Sequence, residues 1–169
     1  MNTPDQLLAN ILEQHEPQSL LVLGTGNIPA LSNYLAENAV ELNHFSLAPD
    51  LTLADTQQRF DLCLLTPEFI QLDKPHAIEL LAGIRNRLCH RIYVFLPLGA
   101  DSQWQAGDLY ALGLKRVAQF ANQAESPAGQ NNAPLLSCFS YEIESYVKKR
   151  DWNNAKYWAN PENFGKYWW

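Results

Sequence analysis

The chain has 169 residues, of which 47% are hydrophobic, 11% aromatic and 18% charged. That is enough apolar material for one good core in a single domain, and it excludes an intrinsically disordered chain. A formal net charge of −6 argues against a whole-surface nucleic-acid binder, although charge is uneven: from Tyr141 onward five basic and four acidic residues give +1, leaving −7 for the body. Cys63, Cys89 and Cys138 are odd in number and far apart, so they read as reduced core thiols of a cytoplasmic protein. Neither they nor His15, His44, His76 and His90 cluster at metal-ligand spacing, so no metal site is expected. The N-terminus lacks a signal-peptide pattern and no run approaches the ~20 apolar residues of a membrane span.

In chain order, residues 4–14 place Leu7, Leu8, Ile11 and Leu12 on one helical face, with Thr3 or Asp5 as the cap. Leu20–Leu23 is a buried strand that stops at Gly24-Thr25-Gly26-Asn27. A helix over Ile28–Glu37 follows, with Pro29 in the first turn, where its missing N–H costs nothing. Val40–Leu47 alternates as a second strand and ends at Ala48-Pro49-Asp50; residues 51–58 form a short helix or a loop. Phe60–Leu65, apolar apart from Asp61, is a buried parallel strand. A helix over Pro75–Leu88 and a strand over Arg91–Leu98 come next, then a short helix over Ala106–Leu112 closed by Gly113. Leu114–Phe120 and Leu135–Tyr146 are strands of an antiparallel hairpin whose loop is Gln123–Pro134.

This order predicts an α/β fold: a three-layer, Rossmann-like, mostly parallel sheet with helices on both faces and a C-terminal antiparallel hairpin. Its glycine-rich turn ends a buried strand and opens a helix, which is how such sheets build a nucleotide-sized pocket. Gly24, Thr25, Gly26 and Asn27 either cradle a ligand through backbone N–H groups or simply make the turn that the fold requires.

Three segments over residues 19–146 resemble the class I S-adenosylmethionine-dependent methyltransferase family. They are the turn Leu21–Asn27, the strand Phe60-Asp61-Leu62-Cys63-Leu64-Leu65-Thr66, and Arg91–Leu96 followed by Leu109–Val117 with its Leu112-Gly113-Leu114 helix end. The resemblance implies a methyltransferase-like fold, S-adenosylmethionine as cofactor, and a cofactor site built from Gly24, Thr25, Gly26, Asn27, Ser46, Asp50, Thr66, Pro67 and Glu68. Thr66-Pro67-Glu68-Phe69 resembles the N-P-P-Y motif of amino-group methyltransferases, with Thr for the Asn and Glu for the second Pro. Departures are equally visible. Val22 stands where the family usually carries an acid two places before the first glycine, and the third glycine is missing. Strand two ends in Phe45-Ser46-Leu47 rather than in a ribose-gripping acid, with Asp50 three residues later, and the segment where the family's third strand usually lies is short, so that strand is expected to be absent.

Other candidates are read as follows. Glu68 is a general base, a substrate contact or a solvated loop carboxylate; Asp101 sits at the functional end of its strand; Asp61 caps a neighbouring backbone; His44 is a packed or surface side chain. Residues 1–150 form the methyltransferase-like domain and 151–169 an aromatic tail with four of the five tryptophans, Trp152, Trp158, Trp168 and Trp169. Asp151 would cap a helix over 152–159, with Asn160-Pro161 ending it and starting another turn. The tail packs on the domain, forms a homodimer or protein-partner interface, or stacks on single-stranded nucleic acid, which the acidic body opposes. Its wording from Asp151 to Pro161 resembles a group of bacterial proteins of unknown function. Two functions therefore stand: a small methyltransferase-like protein binding S-adenosylmethionine or a related nucleotide at Gly24–Asn27, or a non-catalytic scaffold acting through the aromatic tail.

Overall fold

The computed structural model describes residues 3–24, 28–48, 51, 53, 56, 58–99, 102–120, 135–146, 160–163 and 166. Its elements are α1 (Pro4–His15), β1 (Ser19–Leu23), α2 (Pro29–Glu37), β2 (Glu41–Phe45), β3 (Phe60–Leu65), a 3-10 turn over Pro67–Gln71, α3 (Lys74–Gly83), β4 (Cys89–Leu98), α4 (Ala106–Ala111), β5 (Lys115–Phe120) and β6 (Leu135–Glu142). The described strands form one six-stranded sheet in the order β2-β1-β3-β4-β6-β5. Its first four strands are parallel, β6 runs antiparallel to β4, and β5 antiparallel to β6. This is the expected three-layer Rossmann-like α/β architecture with an antiparallel finish.

Alternation along the central strands divides the core between the two faces. Leu21, Leu23, Cys63, Leu65, Ile92, Val94 and Leu96 face α3 and α4, packing with Ala77, Leu81 and Leu109. Leu20, Val22, Leu62, Leu64 and Phe95 face the other way, against Leu8, Ile11 and Leu12 of α1 and Leu31 of α2. The α2 crossover from β1 to β2 therefore lies on one face and the α3 crossover from β3 to β4 on the other, which makes the β1–β3 boundary the topological switch point of the sheet.

Local chemistry explains most boundaries. Thr3 caps α1 in a full capping box: its hydroxyl accepts from Gln6 N while the Gln6 side chain accepts from Thr3 N. Gly113 leaves α4 with φ +80°, the left-handed conformation that glycine adopts without strain. Asp61 caps as expected, accepting from the Gln18 and Ser19 N–H groups at 3.0 Å each and from the Ser19 hydroxyl at 3.1 Å. Cys63, Cys89 and Cys138 are buried free thiols.

Several boundaries differ from the sequence reading, β4 among them, which starts at Cys89 rather than Arg91. The second strand is shorter, Glu41–Phe45, because it pairs on only one side and its outer rim is exposed. The third helix is regular only to Gly83; Ile84–Leu88 forms a π turn that leads straight into β4. The last strand stops at Glu142, where its pairing with Arg91 of β4 ends, and residues Ile143–Tyr146 curl into one helical turn. Arg91 gathers both acids there, Glu142 at 2.7 Å and Glu144 at 3.0 Å. The expected hairpin loop Gln123–Pro134 lies outside the described residues, although the antiparallel pairing that it joins is present.

Helix α1 is tied to the sheet by its buried Leu8, Ile11 and Leu12 and by His15, whose Nε2 meets the Tyr93 hydroxyl at 2.8 Å. Burial pushes the Tyr93 phenol up to about 12, with Glu142 adding to the effect, so it stays protonated and can donate to the neutral imidazole. Burial lowers the His15 pKa, helped by Arg91 and opposed by Glu142 and Glu144. The unfolded chain then binds the His15 proton more readily than the native one, so this contribution to stability is present above about pH 6.5 and fades as pH falls through the lowered native value. Urea titrations of the wild type and His15→Gln at pH 7.5 and pH 5.5 test this: the wild type should lose more of its midpoint on acidification. Equal losses would remove His15 from the account.

Candidate functional site

The site is built on the end of β1. Gly24 is buried at φ +119°, a conformation strained for any residue with a Cβ. Its N–H donates to Phe45 O at 3.0 Å, while His44 Nε2–H donates to its carbonyl at 2.5 Å. Because a carbonyl only accepts, this contact fixes the His44 tautomer. β2 thus grips the turn from one side.

From the other side comes the end of β3. Thr66 is buried, and its N–H donates to Leu23 O at 3.0 Å, continuing the sheet pairing one step past both strands. Its hydroxyl has two acceptors within reach, Leu23 O at 3.2 Å and the Glu68 carboxylate. A hydroxyl has one proton to give, and the carboxylate of Glu68 is both the nearer and the stronger acceptor. A Cβ on Gly24 would overlap the Thr66 hydroxyl oxygen and stand 3.0 Å from Thr66 Cβ and 3.3 Å from Glu68 Oε2. The bare face of the glycine is therefore occupied by the chain's own hydroxyl and carboxylate.

Beside this contact lies a cavity of about 270 Å³, at the C-terminal end of the parallel strands on the α1–α2 face. Pro4, Asp5 and Leu8 of α1, Ile28 and Pro29 at the start of α2, and the Thr66–Glu68 segment surround it, with Phe95 and Leu136 as the floor. Two helix N-termini and a strand end thus converge at the switch point. Val22, at the family's acidic position, is fully buried among apolar groups of the same face.

Of the residues expected to bind a cofactor, Thr66, Pro67 and Glu68 line this cavity, and Gly24 abuts Thr66 and Glu68 beside it. Ser46 is exposed in the loop after β2. Thr25, Gly26, Asn27 and Asp50 lie outside the described residues, as do Asp101 and the tail residues Trp152, Trp158, Trp168 and Trp169 with the helix expected over 152–159. The turn expected at Pro161 is present as a 3-10 turn over Pro161–Asn163. His44, expected as a packed or surface side chain, is an exposed residue of β2 whose ring holds the glycine carbonyl. Two contributors escaped the sequence reading. Asp5, a possible cap by sequence, lines the cavity. Trp104 is buried on the opposite face, tilted against Phe69 at 5.9 Å with Lys74 Nζ 5.7 Å from its ring, and so fastens the segment after β4. A large aromatic in an otherwise polar loop was its only signal. Among the described residues, no group of His, Cys, Asp and Glu could hold a metal ion, and no helix is long and apolar enough to cross a membrane.

The match to a family model extends over residues 2–169. The chain belongs to the family of unknown function DUF6231. No curated protein matches this DUF6231 member by sequence. Its fold is similar to that of solved methyltransferases. One is a TehB-like SAM-dependent methyltransferase from Corynebacterium glutamicum, with 17% identity, a TM-score of 0.50, and 78% of this chain and 85% of that one covered. Another is the Burkholderia thailandensis 1,6-didemethyltoxoflavin-N1-methyltransferase, solved with S-adenosylhomocysteine bound (15% identity, TM-score 0.52, 82% and 78% covered). A third is the magnesium protoporphyrin IX methyltransferase of Synechocystis with bound SAM (10% identity, TM-score 0.51, 80% and 77% covered). At these identities the likeness shows the fold, a class I methyltransferase-like α/β sheet. Among the described residues β2 is the edge strand on that side of the sheet.

Gly24→Ala should be strongly destabilising, since backbone strain alone costs about 1–3 kcal/mol and the overlap with Thr66 adds to it. Adding Thr66→Gly should recover the steric part and leave the strain. Urea unfolding of the three variants checks this; no recovery in the double variant would separate the Thr66 contact from the need for glycine.

Proposed function

We propose that this protein binds S-adenosylmethionine, or a nucleoside closely related to it, at the C-terminal edge of the sheet beside Gly24. The observation that carries the reading is the cavity at the switch point, where open α/β sheets bind their ligands and where two helix N-termini and the end of β3 meet.

The residues present fit such a ligand at one end. The acid absent at Val22 has a spatial counterpart in Glu68, which reaches the same turn from the neighbouring strand. Glu68 and Asp5 suit a positively charged group, and Leu8, Ile28, Phe95 and Leu136 suit its apolar body. When bound, S-adenosylmethionine supplies an electrophilic methyl group. The chain's part is to orient and to exclude water, which requires no strong acid or base. Gly24, pinned by Phe45 O and by His44, sets the shape of the turn. Thr66 holds the Glu68 carboxylate in place, and the start of α1 forms one wall.

Calorimetry of the full chain with S-adenosylmethionine and S-adenosylhomocysteine tests the proposal. Saturable heat is expected from both. At 100-fold saturation the protein should gain ~2.7 kcal/mol, a rise of about 5–10 °C in Tm for a chain of this size. Neither heat nor a shift with either compound would overturn it.

A further inference from the structure

We propose that the groove between α3 and the segment after β2 is a second binding site, which takes a free aliphatic α-amino acid or a zwitterion of that size. It lies on the sheet face opposite the cavity beside Gly24, and it stands independently of the reading above. Its volume is about 180 Å³. That is below the ~300–1,000 Å³ of pockets that bury drug-sized ligands, so the occupant is small. One wall is apolar and buried, made by Leu53, Leu80, Ile84 and Leu88. His76, Glu79 and Arg87 supply the polar lining.

Opposite charges line this groove without pairing. Arg87 belongs to the π turn, and its Nη2 lies back over the helix, 3.9 Å from where a Gly83 Cβ would stand. Glu79 stands one turn before Gly83 on the same stripe of α3. Among the described residues the ion pairs are made elsewhere, by Lys74 with Asp108 and by Arg91 with Glu142 and Glu144. Arg59 donates through Nε to Arg87 O at 3.1 Å, which brings a second positive charge to that end. At the other end His76 Nε2–H donates to Leu51 O at 3.0 Å, so the neutral ring keeps Nδ1 as an acceptor beside Glu79. The polar groups thus divide into donors at Arg87 and acceptors at His76 and Glu79. A carboxylate suits the guanidinium fork, an ammonium suits Glu79, and an aliphatic side chain suits the buried wall. A plain anion would leave Glu79 opposing it, and a plain amine would leave Arg87 opposing it.

The test is amide NMR titration of the full chain with L-leucine, 4-methylpentanoate and 3-methylbutylamine. The second probe is leucine without its amine, and the third is leucine without its carboxylate. Leucine should give saturable shifts at Glu79, Gly83, Ile84 and Arg87. Each of the other two should bind about fivefold more weakly, the upper range for losing one exposed ion pair. Arg87→Gln and Glu79→Gln change exposed side chains, so both variants should keep the wild-type Tm while each weakens leucine by a similar factor. Leucine that moves none of these amides up to its solubility, or moves only those around Gly24 and Thr66, would overturn the proposal. So would a single-charge probe that binds as tightly as leucine, or variants that bind leucine as the wild type does.

Discussion

Strands β1 and β3 run side by side to the edge of the sheet, where the chain must satisfy two demands at one residue. β1 has to turn away into α2, and β3 has to pass close enough to keep pairing with it. Gly24 meets both demands. Its φ of +119° makes the turn, and the absence of a Cβ leaves the space that the Thr66 hydroxyl fills. With Thr66 seated there, Glu68 is held at the same point, and the loop after β3 takes its course over the sheet edge. Any side chain on Gly24 would push β3 away and reshape the cavity wall.

The two layers of core hold this junction rigid from above and below. Residues alternate cleanly, so the strand that carries Leu23 into the α3–α4 layer carries Val22 into the α1–α2 layer. Val22 is thus committed to packing, and an acid there would sit among buried Leu20, Leu62 and Leu64. The carboxylate at this turn comes from β3's side instead, from a residue whose exposure is intermediate. A charge placed there keeps some contact with water, which is far less costly than burying it in the core.

The fold was largely legible in the sequence because its signals are local. Buried parallel strands read as apolar runs, as in Leu20–Leu23 and Phe60–Leu65. Gly113 marked the end of α4, and the Asp61 cap followed from an acid at the start of a buried strand. What stayed hidden depends on partners distant in the chain. His44 holds a carbonyl twenty residues earlier, Thr66 meets a glycine forty-two residues before it, and His15 finds Tyr93 seventy-eight residues later. No spacing rule within a segment reports such contacts. The end of β6 was misread for the same reason: its strand-like composition continues to Tyr146, but the pairing ends at Glu142. At the site, the glycine turn was found at once, whereas the role of Glu68 needed the neighbouring strand.

The central claim is that the sheet edge at the β1–β3 boundary is where this protein meets a small molecule. Amide NMR mapping tests it most directly, with spectra of the full chain recorded during titration with S-adenosylhomocysteine. The account predicts shifts concentrated at Gly24, Ile28, Thr66, Glu68 and the first turn of α1. Shifts confined to the groove at His76, Gly83 and Arg87 on the opposite face, or no shifts at all, would contradict it.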